Sequence, residues 1–103
     1  MIEIESAEHF HQVLKENEFV IADFYATWCG PCKKMTPYLE KVHEKNPGLT
    51  IVKIDVDELR ELADLFEINS LPTVFFIREG KIVYKVFGMD EKEINKGLHV
   101  FAN

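Results

Sequence analysis

The stretch Phe19–Cys32, which reads Phe-Val-Ile-Ala-Asp-Phe-Tyr-Ala-Thr-Trp-Cys-Gly-Pro-Cys, decides the fold of this chain. Its first part, Phe19–Ala26, is nearly all apolar, which is typical of a central strand buried on both faces. A helix is expected to follow from about Pro31 to Asn46, because apolar residues recur there at helical spacing. The stretch therefore predicts a strand-to-helix turn that carries the two cysteines, Cys29 and Cys32.

The sequence on either side of this turn predicts a further alternation of strands and helices. The other expected strands are Ile2–Glu5, Leu49–Asp55, Thr73–Ile77 and Ile82–Phe87, the last two forming an antiparallel hairpin around Glu79-Gly80. The order βαβαβ followed by αββα predicts an α/β fold, in which four helices cover both faces of a mixed, mostly parallel, five-stranded central sheet. Because no repeat or linker divides the sequence, we expect a single domain over residues 1–103.

Side-chain caps are expected at the start of the other three helices. Ser6 offers an N-cap to the first helix and Asp57 to a short third helix, and Asp90 with Glu93 forms a pattern like a capping box. In the last helix, Gly97 is expected to cost ~1 kcal/mol of helix stability relative to alanine.

Charge and hydropathy exclude several classes of function. The 103 residues include 12 Lys and Arg against 18 Asp and Glu, and no basic run is longer than Lys33-Lys34, which argues against nucleic acid and anionic lipid as partners. The longest apolar runs have four residues, far fewer than the ~20 that span a bilayer. The amino end is acidic and resembles no secretory signal, so we expect a cytoplasmic protein.

The spacing of the two cysteines favours a reversible disulfide. At the start of a helix, Cys29 and Cys32 lie about one turn apart on one face, so a disulfide closes with little backbone movement. Closing so small a ring constrains the unfolded chain by only about 2 kcal/mol, against about 4.7 kcal/mol for a loop of about 100 residues. Such a bond adds little to the stability of the fold but is suited to repeated reduction and oxidation.

The helix end also predicts which cysteine reacts. Unpaired backbone N–H groups and the positive end of the helix dipole favour a thiolate, which is the attacking species. We expect Cys29 to be the exposed nucleophile and Cys32 to be the more shielded, resolving thiol. Pro31 suits the first helical turn, and Gly30 allows a partner to approach closely.

Two other interpretations of the cysteines compete with redox chemistry. Zinc prefers tetrahedral coordination by four ligands, and the four histidines offer no obvious second pair, so we expect no metal and solvated histidines. These histidines are His9, His11, His43 and His99. The second alternative is a binding module that grips a partner protein, with the thiols secondary.

The run Asp23–Lys33 closely resembles the active-site stretch of the thioredoxin family. The resemblance covers essentially the whole chain, since other positions agree in register: Pro37, Lys53, Asp55, Leu71-Pro72-Thr73, Gly80 and Gly88. Gly-Pro between the cysteines is similar to reducing members, whereas isomerases, oxidants and glutaredoxins typically carry other pairs.

This resemblance implies a thioredoxin fold and a general protein-disulfide reductant. It further implies recycling by thioredoxin reductase at the expense of NADPH, with no cofactor bound to the chain itself. Peroxiredoxins and ribonucleotide reductase are examples of the disulfide-containing substrates it implies, and we expect a monomer.

The resemblance also assigns roles to residues. Asp23 resembles the buried carboxylate that helps to move the proton of the resolving thiol, and as the only charge in Phe19–Ala26 it should have a raised pKa. Lys53 resembles the amine near that carboxylate. Pro72 resembles the cis-proline that faces the disulfide, beside a Leu71 backbone that pairs with a substrate strand.

An apolar rim for extended protein substrates completes the implied site. The expected substrate-binding residues are Trp28, Gly30, Pro31, Leu71, Pro72, Thr73, Gly88 and Met89. Met89 departs from the small Ala common at its position, which we expect to alter partner preference. Tyr25 stands where many members carry a second Trp, and we expect it to serve ordinary packing.

Overall fold

The computed structural model describes residues 1–102 and contains five strands and four helices. The strands are β1 (Ile2–Glu3), β2 (Phe19–Tyr25), β3 (Thr50–Asp55), β4 (Thr73–Arg78) and β5 (Lys81–Phe87). The helices are α1 (Ala7–Glu16), α2 (Gly30–Lys45), α3 (Arg60–Leu65) and α4 (Glu91–Ala102). The strands form one sheet in the order β1-β3-β2-β4-β5, with β1, β3 and β2 parallel and the β4–β5 hairpin antiparallel. The predicted mixed sheet is therefore confirmed.

The central position of β2 explains its apolar sequence. Ala22 and Phe24 pack into one core cluster with α1 and α3, whereas Ile21 packs into the other with α2 and α4. Because side chains alternate along a strand, Asp23 lies on the same side as Ile21, beneath α2. In the sheet it is opposite Lys53 of β3 and Val74 of β4.

Two of the three predicted caps are present. The Oγ atom of Ser6 accepts from the N–H of His9 at 3.0 Å, and Oδ1 of Asp90 accepts from the N–H of Glu93 at 3.2 Å. The hairpin turns at Glu79 and Gly80, with φ values of 51° and 79°, the positive dihedrals that match the twist of a two-residue turn.

The predicted cap at Asp57 is wrong. α3 begins only at Arg60, with Leu59 at its N-cap and no side-chain hydrogen bond there. Asp55, at the end of β3, makes the local turn instead, since its Oδ1 atom accepts from the N–H groups of Asp57 and Glu58 at 2.9 and 3.3 Å. This turn leaves the Asp57 carboxylate available for another partner.

Gly97 permits a close contact between α4 and the sheet. A Cβ atom at this position would overlap the Phe76 ring of β4, so the missing side chain is what allows the helix to approach. The sequence-based expectation, a cost in helix stability, therefore captures only the smaller of two opposing effects.

The substitution Gly97→Ala is accordingly expected to destabilise the protein by about 1–3 kcal/mol, because overpacking against Phe76 outweighs the gain of about 1 kcal/mol in helix propensity. Urea denaturation measures this difference in the free energy of unfolding. Gly48→Ala is the matched control, because a Cβ there meets nothing within 4 Å. Equal stability of the two variants would contradict the packing argument.

Candidate active site

The two cysteines lie where the chain leaves β2 and enters α2. Cys29 is the N-cap of α2, and Pro31 occupies its first turn. The N–H of Cys32 points at the Sγ atom of Cys29 with an N···S distance of 3.3 Å. The sulfur of Cys29 thus takes the place that a capping oxygen has in other helices, at the positive end of the helix dipole.

Cys29 and Cys32 are joined in a disulfide, with their Cα atoms 5.3 Å apart. The predicted pairing across one turn is therefore present. The expected contrast in exposure is not seen in this oxidised form, because Cys29 is 5% exposed and Cys32 is 3% exposed. Both pack in one small cluster with Ala26, against the partly buried side chains of Tyr25 and Leu71. The same side chains therefore shield both sulfur atoms from solvent.

Asp23 is a carboxyl group enclosed by the core. Its side chain is completely buried, and neither of its oxygens has a hydrogen-bond partner in residues 1–102. Burial raises its pKa from 3.8 to about 7, with Lys53 opposing the shift and Glu3 adding to it. The direction agrees with the expectation from the sequence, and Asp23 can exchange a proton near neutral pH.

Lys53 and Tyr25 lie together beside this carboxyl. The Lys53 Nζ atom is 4.2 Å from the centroid of the Tyr25 ring, and the Tyr25 hydroxyl donates to Oε2 of Glu3 at 2.7 Å. Tyr25 therefore does more than pack. Glu3 is not among the predicted site residues, because only the strand order shows that β1 lies beside Lys53.

The segment Leu71-Pro72-Thr73 closes the site from the other side. The Leu71-Pro72 peptide bond is cis, and Leu71 packs against the cysteine cluster. The Pro72 carbonyl accepts from the N–H of Gly88 at 2.8 Å, and the Thr73 hydroxyl donates to the Ser70 carbonyl at 2.6 Å. The first bond holds the segment to the chain that leads from β5 into α4, and the second closes a local turn before β4.

Open clefts flank the disulfide on both sides. One of about 440 Å³ extends from Trp28, Cys29 and Gly30 to Leu71 and Ile68. Another of about 560 Å³ is lined by Gly30, Pro31, Lys34 and Met89. Of the predicted rim residues, Trp28, Gly30, Pro31, Leu71 and Met89 line these two clefts. Pro72, Thr73 and Gly88 do not line them, and Thr73 is buried.

Trp28 is the largest apolar side chain on this rim. It is 70% exposed, and its indole N–H donates to Oδ2 of Asp57 at 2.8 Å. Arg60 in turn lies 3.6 Å from the other oxygen of that carboxylate. Asp57, which the sequence pattern placed at a helix cap, instead orients the indole.

Within residues 1–102, no group of three or more His, Cys, Asp and Glu side chains is placed to hold a metal ion. In the same range, no helix has the length and apolar character needed to cross a membrane.

A disulfide at the start of α2, together with a buried carboxyl on β2 whose pKa is raised to about 7, is equipped for dithiol–disulfide exchange. The fold and the site together define a protein-disulfide oxidoreductase. Comparison with known proteins gives the family: the thioredoxin model matches residues 1–99, and the chain belongs to the thioredoxin family.

Individual relatives are similar over almost their whole length. A thioredoxin of Mycoplasmoides gallisepticum is 41% identical over 98 residues, covering 95% of this chain and 98% of the relative. The crystal structure of a poplar thioredoxin h has a TM-score of 0.92 at 37% identity, covering 99% of this chain and 96% of the other. A second structure addresses thiol resolution in a yeast mitochondrial 1-Cys peroxiredoxin via the glutathione and thioredoxin systems. Its TM-score is 0.90 at 33% identity, covering 96% of this chain and 93% of the other.

Proposed function

We propose that this chain is a general reductant of protein disulfides in which Cys29 is the nucleophile and Cys32 the resolving thiol. The observation that carries the assignment is the contact between the Cys32 N–H and the Cys29 sulfur at the start of α2. The same N–H and the helix dipole would stabilise a thiolate on Cys29 once the disulfide is reduced.

In the first step, the Cys29 thiolate attacks one sulfur of a substrate disulfide. A bond forms between Cys29 and that sulfur, and the substrate disulfide breaks, releasing the second substrate sulfur as a thiolate that takes up a proton from solvent. The product is a mixed disulfide between the two proteins.

In the second step, Cys32 loses its proton and attacks Cys29. The new bond is the disulfide between Cys29 and Cys32, the mixed disulfide breaks, and the reduced substrate leaves. Asp23, a buried carboxyl with a pKa of about 7, accepts the proton from Cys32, and Lys53 helps to keep the carboxyl ionised. The dithiol supplies both electrons, so the step needs no bound cofactor.

The rim seats the substrate during these steps. An extended substrate segment pairs with the backbone of Leu71, next to Pro72 and Thr73, while apolar side chains settle on Trp28 and Met89. Little side-chain bulk stands between the substrate and the sulfur atoms, because the neighbouring residues are Gly30, Pro31 and Gly88.

The oxidised protein is proposed to be recycled by a thioredoxin reductase that uses NADPH. Peroxiredoxins and ribonucleotide reductase are candidate substrates, and the yeast peroxiredoxin study on a similar structure supports the first of these. We further propose that the chain works in the cytoplasm, as a monomer that carries electrons from the reductase to its substrates.

A coupled assay tests this cycle. Mixing the protein with NADPH, a thioredoxin reductase and insulin is expected to consume NADPH catalytically, because each turn regenerates the disulfide between Cys29 and Cys32. A reaction without insulin should stop after one equivalent of disulfide. If dithiothreitol sustains insulin reduction but several reductases do not, the proposed electron donor is wrong and the reductant assignment stands.

A further inference from the structure

A row of charged side chains crosses three strands beneath α2. The parallel registers place Glu3 of β1 opposite Lys53 of β3, and Lys53 opposite Asp23 of β2. Since residues in register carry their side chains on the same face of a sheet, all three lie on the side that α2 covers. The row runs from an exposed acid at the sheet edge to a buried acid at its centre.

Tyr25 contacts two members of this row, Lys53 and Glu3. It lies two residues beyond Asp23 on the same strand, and therefore on the same face. The Lys53 Nζ atom lies 4.2 Å from the centroid of its ring, and its hydroxyl donates to Oε2 of Glu3 at 2.7 Å. Burial and the hydrogen bond to Glu3 raise the pKa of Tyr25, so the hydroxyl remains a donor. Tyr25 also packs against the cysteine cluster.

The Lys53 ammonium is positioned by the ring and not by direct pairing with Asp23. The two ion pairs present in residues 1–102 are Arg60 with Asp57 and Lys96 with Glu93, and neither involves Lys53 or Asp23. A half-buried ammonium over an aromatic face is attracted electrostatically to the ring. This attraction fixes where the positive charge lies relative to the buried carboxyl.

We propose that Tyr25 and Glu3 are positioning residues for the transfer of the Cys32 proton. The Tyr25 ring holds the Lys53 ammonium beside Asp23, and the Glu3 carboxylate, fixed by the Tyr25 hydroxyl, offsets part of that charge. The inference rests on the proposed role of Asp23 as proton acceptor and names the residues that set its titration.

The other elements around Asp23 add no further charge at close range. On β4 the residue opposite it is Val74, and the buried residues of α2 are Cys32, Met35, Leu39 and Val42. The negative charges of Asp55 and Glu58 contribute to the raised pKa of Tyr25. Within residues 1–102, the charged groups that act on the titration of Asp23 are therefore Lys53 and Glu3.

The two variants Tyr25→Leu and Glu3→Gln are expected to shift Asp23 in opposite directions. Loss of Tyr25 releases both the Lys53 ammonium and the Glu3 carboxylate. The Lys53 charge has the larger effect on Asp23, so the midpoint of the Asp23 titration rises by about half a unit. Glutamine keeps an acceptor for the Tyr25 hydroxyl but removes the negative charge, so the midpoint falls by a similar amount. Tyr25→Phe keeps the ring and should lie closer to the wild type than Tyr25→Leu.

The titration can be followed through the carboxyl carbon-13 resonance of Asp23 in the oxidised protein. A second measurement starts from the mixed disulfide that the reduced protein forms with a substrate. At about pH 6, release of substrate should be about threefold slower in Tyr25→Leu and about two- to threefold faster in Glu3→Gln. These rates follow the ionised fraction of Asp23. Glu44→Gln, an exposed site on α2, controls for the change in net charge.

The possible failures are distinguishable. If the midpoints of Tyr25→Leu and Glu3→Gln stay at the wild-type value or move together, the positioning role is overturned and the redox function is untouched. If Asp23→Asn leaves the rate of release and its pH profile unchanged, the proposed proton acceptor is wrong. Should Tyr25→Leu fail to fold, Glu3→Gln at the exposed edge strand still tests the inference, because the midpoint of the Asp23 titration must fall in that variant.

Discussion

Replacing Cys29 with serine is expected to lower the rate of insulin-disulfide reduction to that of dithiothreitol alone, a complete loss of the catalysed rate. A serine hydroxyl at the N-cap accepts the same N–H bond, so the helix start is preserved while the attacking thiolate is gone. Turbidity from precipitating insulin chains measures the rate. Glu44→Gln, an exposed change on α2 that lines neither cleft, should keep the wild-type rate.

The companion variant Cys32→Ser separates the two thiols by their products. It can still attack but cannot resolve, so a stoichiometric mixed disulfide with the substrate should accumulate and be visible by mass spectrometry. If the adduct forms through Cys32 in Cys29→Ser instead, the roles of the two cysteines are reversed.

A protein that works only as a binding module behaves differently. It would bind its partner equally well as the reduced wild type and as the double variant Cys29→Ser/Cys32→Ser, and it would show no rate enhancement for insulin. Unchanged insulin reduction in Cys29→Ser would remove the redox assignment and leave that alternative.

Features of the site that depend on neighbours in the sequence were predictable. The strand, the helix start and the disulfide between Cys29 and Cys32 lie within one short stretch, and the apolar run around Asp23 already indicated a raised pKa. Each of these depends on local spacing, which the sequence displays directly.

Features that depend on how distant segments meet were predictable only where the family resemblance supplied them, as for Lys53 beside Asp23 and the cis bond before Pro72. The contact of Glu3 with Tyr25 joins residues 22 positions apart, and the bond from Trp28 to Asp57 joins residues 29 positions apart. The benefit of Gly97 likewise exists only because the Phe76 ring lies beneath it. Asp57 was a plausible cap from its local sequence, but Asp55 accepts the backbone hydrogen bonds of this turn instead.

The substitution Asp23→Asn is expected to raise the free energy of unfolding by about 4 kcal/mol at about pH 8 and to leave it nearly unchanged at about pH 4. The folded-state pKa of Asp23, about 7, lies above its ordinary value of 3.8. Between these values the folded protein keeps a proton that the unfolded chain has lost, so wild-type stability falls as the pH rises. Asparagine resembles the protonated acid at every pH and removes this dependence.

Urea unfolding of the oxidised proteins across this range measures the effect, with the exposed Asp64→Asn as the matched control. A wild type whose stability is flat from about pH 4 to about pH 8 would contradict the buried, unpaired state of Asp23. A carboxylate without a hydrogen-bond partner in the core lowers stability wherever it is ionised, so packing does not explain it. The proposed transfer of a proton between Cys32 and Asp23 would account for a carboxyl in this position beneath α2, and the same substitution should therefore slow substrate release while it stabilises the fold.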